Sequence, residues 1–147
     1  MKMLKLLLSL SVLSLLALMV TGCGGGRVNA KVIIPDNEVH VKLHSFELVA
    51  DKLTIPAGSV TFKAINTDVV THEMLVIPVA DATMELPYDR TIARLSEDAL
   101  VSLGEVPEIE AHTKGEVTLD LTPGTYILLC NLVGHYQAGM HTVLTVE

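Results

Sequence analysis

The stretch Cys130-Asn131-Leu132-Val133-Gly134-His135-Tyr136-Gln137-Ala138-Gly139-Met140 places a thiol, an imidazole and a thioether at positions n, n+5 and n+10. It holds two glycines and no charged residue. A Cys alone reads as a small buried hydrophobe. Joined to His135 and Met140 on one segment it reads as a ligand set, because soft thiolate and thioether donors beside a neutral imidazole suit copper. A mononuclear blue-copper site needs one more His. His72, in Asp68-Val69-Val70-Thr71-His72-Glu73-Met74, opens a strand after a turn and is the best donor. The alternatives are His40, His44, His112 and His141. His40 and His44 share a strand face that could make a weak surface metal site but read first as solvent-exposed, His141 points away on its own strand, and Met74 reads as core.

The elements that must position these side chains are mostly strands. From Glu38 onward, short apolar runs are separated by Pro, Gly, Asn and Asp, the pattern of strands joined by turns. Val39-His40-Val41-Lys42-Leu43 alternates, and the apolar phase then shifts to Phe46 and Leu48, which predicts a bulge or bend. Val60 to Ile65, Thr71 to Ile77, Val117 to Leu121, Tyr126 to Cys130 and Met140 to Val146 continue the series. Tyr126, Leu128 and Cys130 share a face. Seven or so strands at this spacing predict a β-sandwich. Cys130 ends one strand and Met140 begins the next. One segment breaks the period: Ile92, Leu95, Ala99 and Leu103 recur at helical spacing, which predicts a helix at about residues 89–103, with Asp89 as N-cap and Gly104 as stop.

Taken together, these residues resemble a cupredoxin, a small blue copper protein. The likeness covers about residues 38–147 and includes the Pro56-Ala57-Gly58 turn, the upstream His72, the Pro123-Gly124-Thr125-Tyr126 entry to the Cys strand, and the Cys-x4-His-x4-Met loop. That loop is similar to those of rusticyanin and sulfocyanin-like members. The resemblance implies an all-β, Greek-key β-sandwich, into which the short helix read from the apolar spacing would be inserted. It implies one type 1 copper ion, with His72, Cys130 and His135 in the trigonal plane and Met140 as a weak axial ligand. It also implies one-electron transfer between redox protein partners; the alternative on the same fold is copper delivery, storage or resistance. A dinuclear centre would need a second Cys in the loop, and the catalytic-cluster ligands that flank the Cys in copper oxidases and nitrite reductases are replaced by Leu129 and Asn131. The chain is therefore not expected to be an enzyme.

Two neighbours of the ligands are candidates for tuning the potential. Asn131 follows Cys130, and Glu73 stands after the first His, where many cupredoxins carry Asn or Ser. A carboxylate at position 73 can accept loop N–H groups, and its charge favours the oxidised copper; the plain alternative is a solvated strand-face acid. Leu132, Val133, Tyr136 and Ala138 surround the loop His with apolar side chains and form the expected docking patch for a redox partner.

The remaining sequence supplies an address. Residues 1–22 carry fifteen apolar residues and only two charges, Lys2 and Lys5, the order of a secretory signal. Val20-Thr21-Gly22-Cys23 resembles the bacterial lipobox, so Cys23 is the expected lipidation site and residues 23–37 the lipidated Cys with a flexible tether; the alternative is an uncleaved membrane anchor, which would place the domain on the same side. About 14 such residues reach on the order of 20 Å. This implies a bacterial lipoprotein anchored to a membrane on the extracytoplasmic side, periplasmic or cell-surface, with a domain expected to be monomeric. The whole chain holds 10 Lys and Arg against 17 Asp and Glu. Without Lys2 and Lys5 the balance is 8 against 17, a formal charge of −9, which excludes nucleic acid as a partner because no cation cluster could displace phosphate counterions. With Cys23 carrying lipid, Cys130 has no disulfide partner.

Overall fold

The computed structural model describes residues 35–147; the expected signal, Cys23 and all but the end of the tether lie outside the described residues. Nine strands form two facing sheets. The first contains β1 (Glu38–His44), β2 (Glu47–Ala50), β4 (Gly58–Asn66) and β9 (Lys114–Leu121), in the order β2-β1-β4-β9. The second contains β3 (Thr54–Ile55), β5 (His72–Val79), β8 (Gly104–Ile109), β10 (Gly124–Leu129) and β11 (His141–Val146), in the order β3-β11-β10-β5-β8. Pairing is antiparallel except for β1 with β4 and β3 with β11. The β-sandwich read from the strand spacing is the observed architecture. Pro35–Asn37, the end of the expected tether, already bond to the domain: the Asn37 carbonyl accepts from Thr61 N–H at 2.9 Å and its side chain donates to the Ser59 carbonyl at 3.3 Å.

The core between the sheets follows from the period-2 pattern. Val39, Val41 and Leu43 of β1 and Val60, Phe62 and Ala64 of β4 face Met74, Val76, Val106, Leu128 and Leu144 of the opposite sheet, all at most 1% exposed. Tyr126, Leu128 and Cys130 lie on this inner face. The Tyr126 hydroxyl donates back to the Thr122 carbonyl at 2.7 Å, pinning the sharp entry into β10. The phase shift after Leu43 is a two-residue hairpin turn: Ser45 and Phe46 have φ of 48° and 66°, and His44 pairs with Glu47. This double positive φ matches the twist of a hairpin but strains an aromatic residue.

The helix expected at residues 89–103 is absent. Its place holds a short hairpin of β6 (Tyr88–Asp89) and β7 (Arg94–Leu95) followed by a single 3-10 turn, Glu97–Ala99. Asp89 does accept a 2.7 Å bond from the Thr91 N–H. The chain then turns through Ala93 at φ 51°, and both backbone groups of Leu95 bond the side chain of Asn131 instead of a helical neighbour. Of the four apolar residues at helical spacing only Leu95 is buried; Ile92 is 53% and Leu103 42% exposed. Gly104 starts β8. The segment covers the outer face of the second sheet, where Leu86 and Leu95 pack on Leu75, Ile77, Ile127 and Leu129. This second layer explains why β5 is apolar on consecutive residues from Met74 to Ile77. Among the described residues no helix is long and apolar enough to cross a membrane.

Candidate metal centre

The register brings three connections to one end of the sandwich: the turn after β1, the loop between β4 and β5, and the loop between β10 and β11. His72 is the first residue of β5 and is wholly buried. Cys130 directly follows β10, and Met140 directly precedes β11; both are also wholly buried. The Cys130 N–H donates to the Met140 carbonyl at 3.0 Å, and the Met140 N–H to the His135 carbonyl at 3.1 Å. The loop is further closed by His135 N–H to Leu132 O at 2.9 Å and Ala138 N–H to Gly134 O at 3.0 Å. Gly134 and Gly139 turn it at φ of 80° and 103°, backbone conformations that favour glycine.

These strands converge the donor atoms. The Nδ1 atoms of His72 and His135 lie 3.2 Å apart, and Cys130 Sγ lies 3.3 Å from His135 Nδ1. One donor atom from each of His72, Cys130 and His135 lies within 4.8 Å of the others, and no other such cluster containing His or Cys occurs among the described residues. Donors about 2.0–2.3 Å from a common centre in a plane stand about 3.5–3.8 Å from one another, so the observed separations match a slightly contracted metal cage. A thiolate, two imidazoles and a nearby buried thioether make that metal copper. His40 instead bonds Glu38 at 2.5 Å, and His44, His112 and His141 are exposed outside the cluster. Met74 is in the core.

Burial sets the protonation of the ligands. It pushes the Cys130 thiol up, with Glu73 and Leu132 N–H groups pulling the other way, so a metal must displace the thiol proton at neutral pH. Burial and then the neighbouring His72 hold the His135 imidazole below its ordinary range, leaving it neutral and able to ligate. The Glu73 N–H reaches Cys130 Sγ at 3.5 Å, and the Glu73 carboxylate accepts from the Asn131 N–H at 3.0 Å. Burial raises the pKa of Glu73, countered by that N–H. Glu73 thus ties the His72 strand to the Cys130 loop through both backbone and side chain. Asn131, wholly buried, accepts from Leu95 N–H at 2.7 Å and donates to Leu95 O and Glu97 Oε1, each at 3.2 Å.

The apolar residues around His135 divide in two. Val133 is 63% exposed and Ala138 is exposed, whereas Leu132 packs against the inner core and Tyr136 against the outer layer. The sequence reading missed two residues at this end. Phe46, 46% exposed, stands edge-on to the His135 ring with centroids 5.1 Å apart. Asp68 lies 3.4 Å from His72 Nε2. Only the four-residue spacing from Asp68 to His72 signalled the second; nothing local signalled the first.

Solved structures share this fold. Auracyanin from the photosynthetic bacterium Roseiflexus castenholzii is 18% identical with a TM-score of 0.58, covering 76% of this chain and 97% of its own. Auracyanin A, a blue copper protein from Chloroflexus aurantiacus, is 22% identical with a TM-score of 0.55, covering 75% and 99%. Rusticyanin from Thiobacillus ferrooxidans is 19% identical with a TM-score of 0.57, covering 79% and 85%. No curated protein matches the sequence. The sulfocyanin (SoxE) domain model matches residues 45–147, a span that holds all four candidate ligands and most of both sheets, and the chain therefore belongs to the sulfocyanin family of cupredoxins.

Proposed function

We propose that His72, Cys130, His135 and Met140 hold one copper ion in a type 1 site and that the protein carries single electrons between extracytoplasmic redox proteins, with no enzymatic activity of its own. The observation that carries this reading is the convergence of His72 Nδ1, His135 Nδ1 and Cys130 Sγ within a buried end of the sandwich. Copper held there supplies a one-electron couple whose two states are brought closer by thiolate donation. The protein's part is to fix the donors: Cys130 is held by β10, the Met140 carbonyl and the Glu73 N–H, while His72 is held by β5. A cage that keeps one geometry in both oxidation states needs little reorganisation per electron.

The self-bonded loop favours the carrier over a copper-delivery protein, since a ligand set that must release its metal gains nothing from donors fixed by the loop's own hydrogen bonds. The lipid on Cys23 would keep the domain at a membrane on the extracytoplasmic side, as a monomer whose exposed Val133 and Ala138 meet the partner. Adding Cu(II) to the protein should give an intense visible absorption and the narrow copper hyperfine pattern of a type 1 site in its electron paramagnetic resonance spectrum, both lost in Cys130→Ala. A colourless protein would reject the site. Fast reversible voltammetry is the expected behaviour of a carrier; ready transfer of Cu(I) to an acceptor, with slow voltammetry, would favour delivery.

A further inference from the structure

Asp68 sits in the loop between β4 and β5, four residues before His72, with its side chain only 16% exposed. Its Oδ2 faces His72 Nε2 at 3.4 Å and accepts the Ser45 N–H at 2.7 Å. Its Oδ1 accepts the Val69 N–H at 2.7 Å. The loop beneath it is fixed by Asn66, a wholly buried side chain that accepts from the Asp68 N–H at 2.8 Å and donates to the Val70 and Ile109 carbonyls at 2.7 and 2.9 Å. One carboxylate therefore meets both the remote nitrogen of a ligand and the strained hairpin tip whose Phe46 lies against the other ligand's ring.

We propose that Asp68 is a positioning residue for the metal centre: its carboxylate orients His72 with Nε2 protonated and Nδ1 free toward Cys130 and His135, and its charge biases the site toward the oxidised state. The inference rests on the copper reading above. A carboxylate oxygen can only accept, so the nitrogen facing it carries the proton and the opposite nitrogen keeps its lone pair for the metal. Turning the ring over would put a bare nitrogen against Asp68 and point N–H into the cage. The Val69 and Ser45 N–H groups both donate to the Asp68 carboxylate, an arrangement that suits its charged form. A fixed negative charge on the far side of a ligand favours the more positive metal state. The same Oδ2 ties down the Ser45–Phe46 turn, so the strap also keeps an aromatic edge at His135.

Asp68→Asn keeps the shape, leaves one oxygen for His72 and Ser45, and removes the charge; the displaced Val69 N–H is on an exposed residue and can turn to water. In the copper-loaded protein this variant should shift the equilibrium with a redox mediator about tenfold toward the reduced form, about 59 mV, with the visible and paramagnetic resonance spectra unchanged. Asp120→Asn, at the opposite end of β9, should leave it where it was. An unchanged potential in Asp68→Asn overturns the charge role. In the copper-free protein, nitrogen-15 spectra of the imidazoles should show His72 protonated on Nε2 alone, and a mixture of tautomers in Asp68→Ala. A proton on Nδ1 in the parent protein overturns the orienting role. If the parent protein takes up no copper, the copper reading fails, and the tautomer of His72 still decides whether Asp68 orients it.

Discussion

Replacing Asn131 by Ala tests whether the segment before β8 is part of the metal centre or a cover laid over it. Asn131 is wholly buried, and Leu95, its main partner, is 1% exposed. The substitution removes the 2.7 Å and 3.2 Å bonds to the two backbone groups of Leu95 and the 3.2 Å bond to Glu97. It leaves the Asn131 backbone N–H free to keep its bond to Glu73. With water excluded, an orphaned donor costs about 1–3 kcal/mol, and each net hydrogen bond contributes about 1 kcal/mol. The exposed Glu97 adds little, so the expected loss is about 3 kcal/mol. A domain stable by about 5–15 kcal/mol stays folded.

With a urea slope of about 2 kcal/mol per molar, the unfolding midpoint of the metal-free protein, followed by far-ultraviolet circular dichroism, should fall by about 1.5 M. Tyr88→Phe, which removes the exposed 2.7 Å bond to Gln137, should move stability by no more than about 0.5 kcal/mol. Hydrogen exchange adds a second reading: the Leu95 amide should lose its protection in Asn131→Ala, while amides of β4 and β9 lose only what the global change dictates. A midpoint shift under about 0.5 M at unchanged slope, or a Leu95 amide as protected as before, would refute the clamp.

Four further outcomes follow from the same geometry. Glu73→Gln removes a half-buried charge that accepts the Asn131 N–H; the reduction potential at neutral pH should rise by an amount equivalent to about 1–2 kcal/mol at an effective dielectric near 20, and an equal or lower potential rejects a tuning role. Gly115→Ala would drive a Cβ into Val106 Cγ1, a β-branched core side chain 1% exposed, so thermal unfolding should show about 1–3 kcal/mol of overpacking cost, and an unchanged midpoint would mean that β8 and β9 can part. Val133→Lys places a charge on the 63% exposed position of the ligand loop; electron self-exchange, read from nuclear relaxation in mixed redox samples, should slow about tenfold with the copper spectrum intact, and an unchanged rate rejects this face as the docking surface. Leu132→Lys, by contrast, should damage folding, since Leu132 packs on the core.

The parts of this protein that were legible in the sequence are those whose determinants are local. Alternation of Val39, Val41 and Leu43 fixes which face of β1 is buried because side chains alternate whatever strand lies alongside. Cys130, His135 and Met140 announced themselves because one loop carries all three, and a loop of eleven residues cannot keep them far apart. His72 was legible only as a His at a strand start, since its partner atoms are 58 and 63 residues away in the chain. The helix expected at residues 89–103 failed for the complementary reason. Its spacing was helical, yet the groups that a helix must bond internally, Leu95 N–H and C=O, are taken by a side chain 36 residues later. A backbone polar pair that finds a buried partner elsewhere has no need of its i±4 neighbour, and periodicity alone carries no record of that competition. The same logic separates Asp68 from Glu73. Glu73 touches its ligand's strand and was open to suspicion by adjacency; Asp68 acts on His72 from within a turn, and its second bond, to Ser45, spans 23 residues. Of the residues that join the ligand strands into one cage, those that do not adjoin a ligand in the chain are therefore the least visible in the sequence, because their partners lie in distant segments.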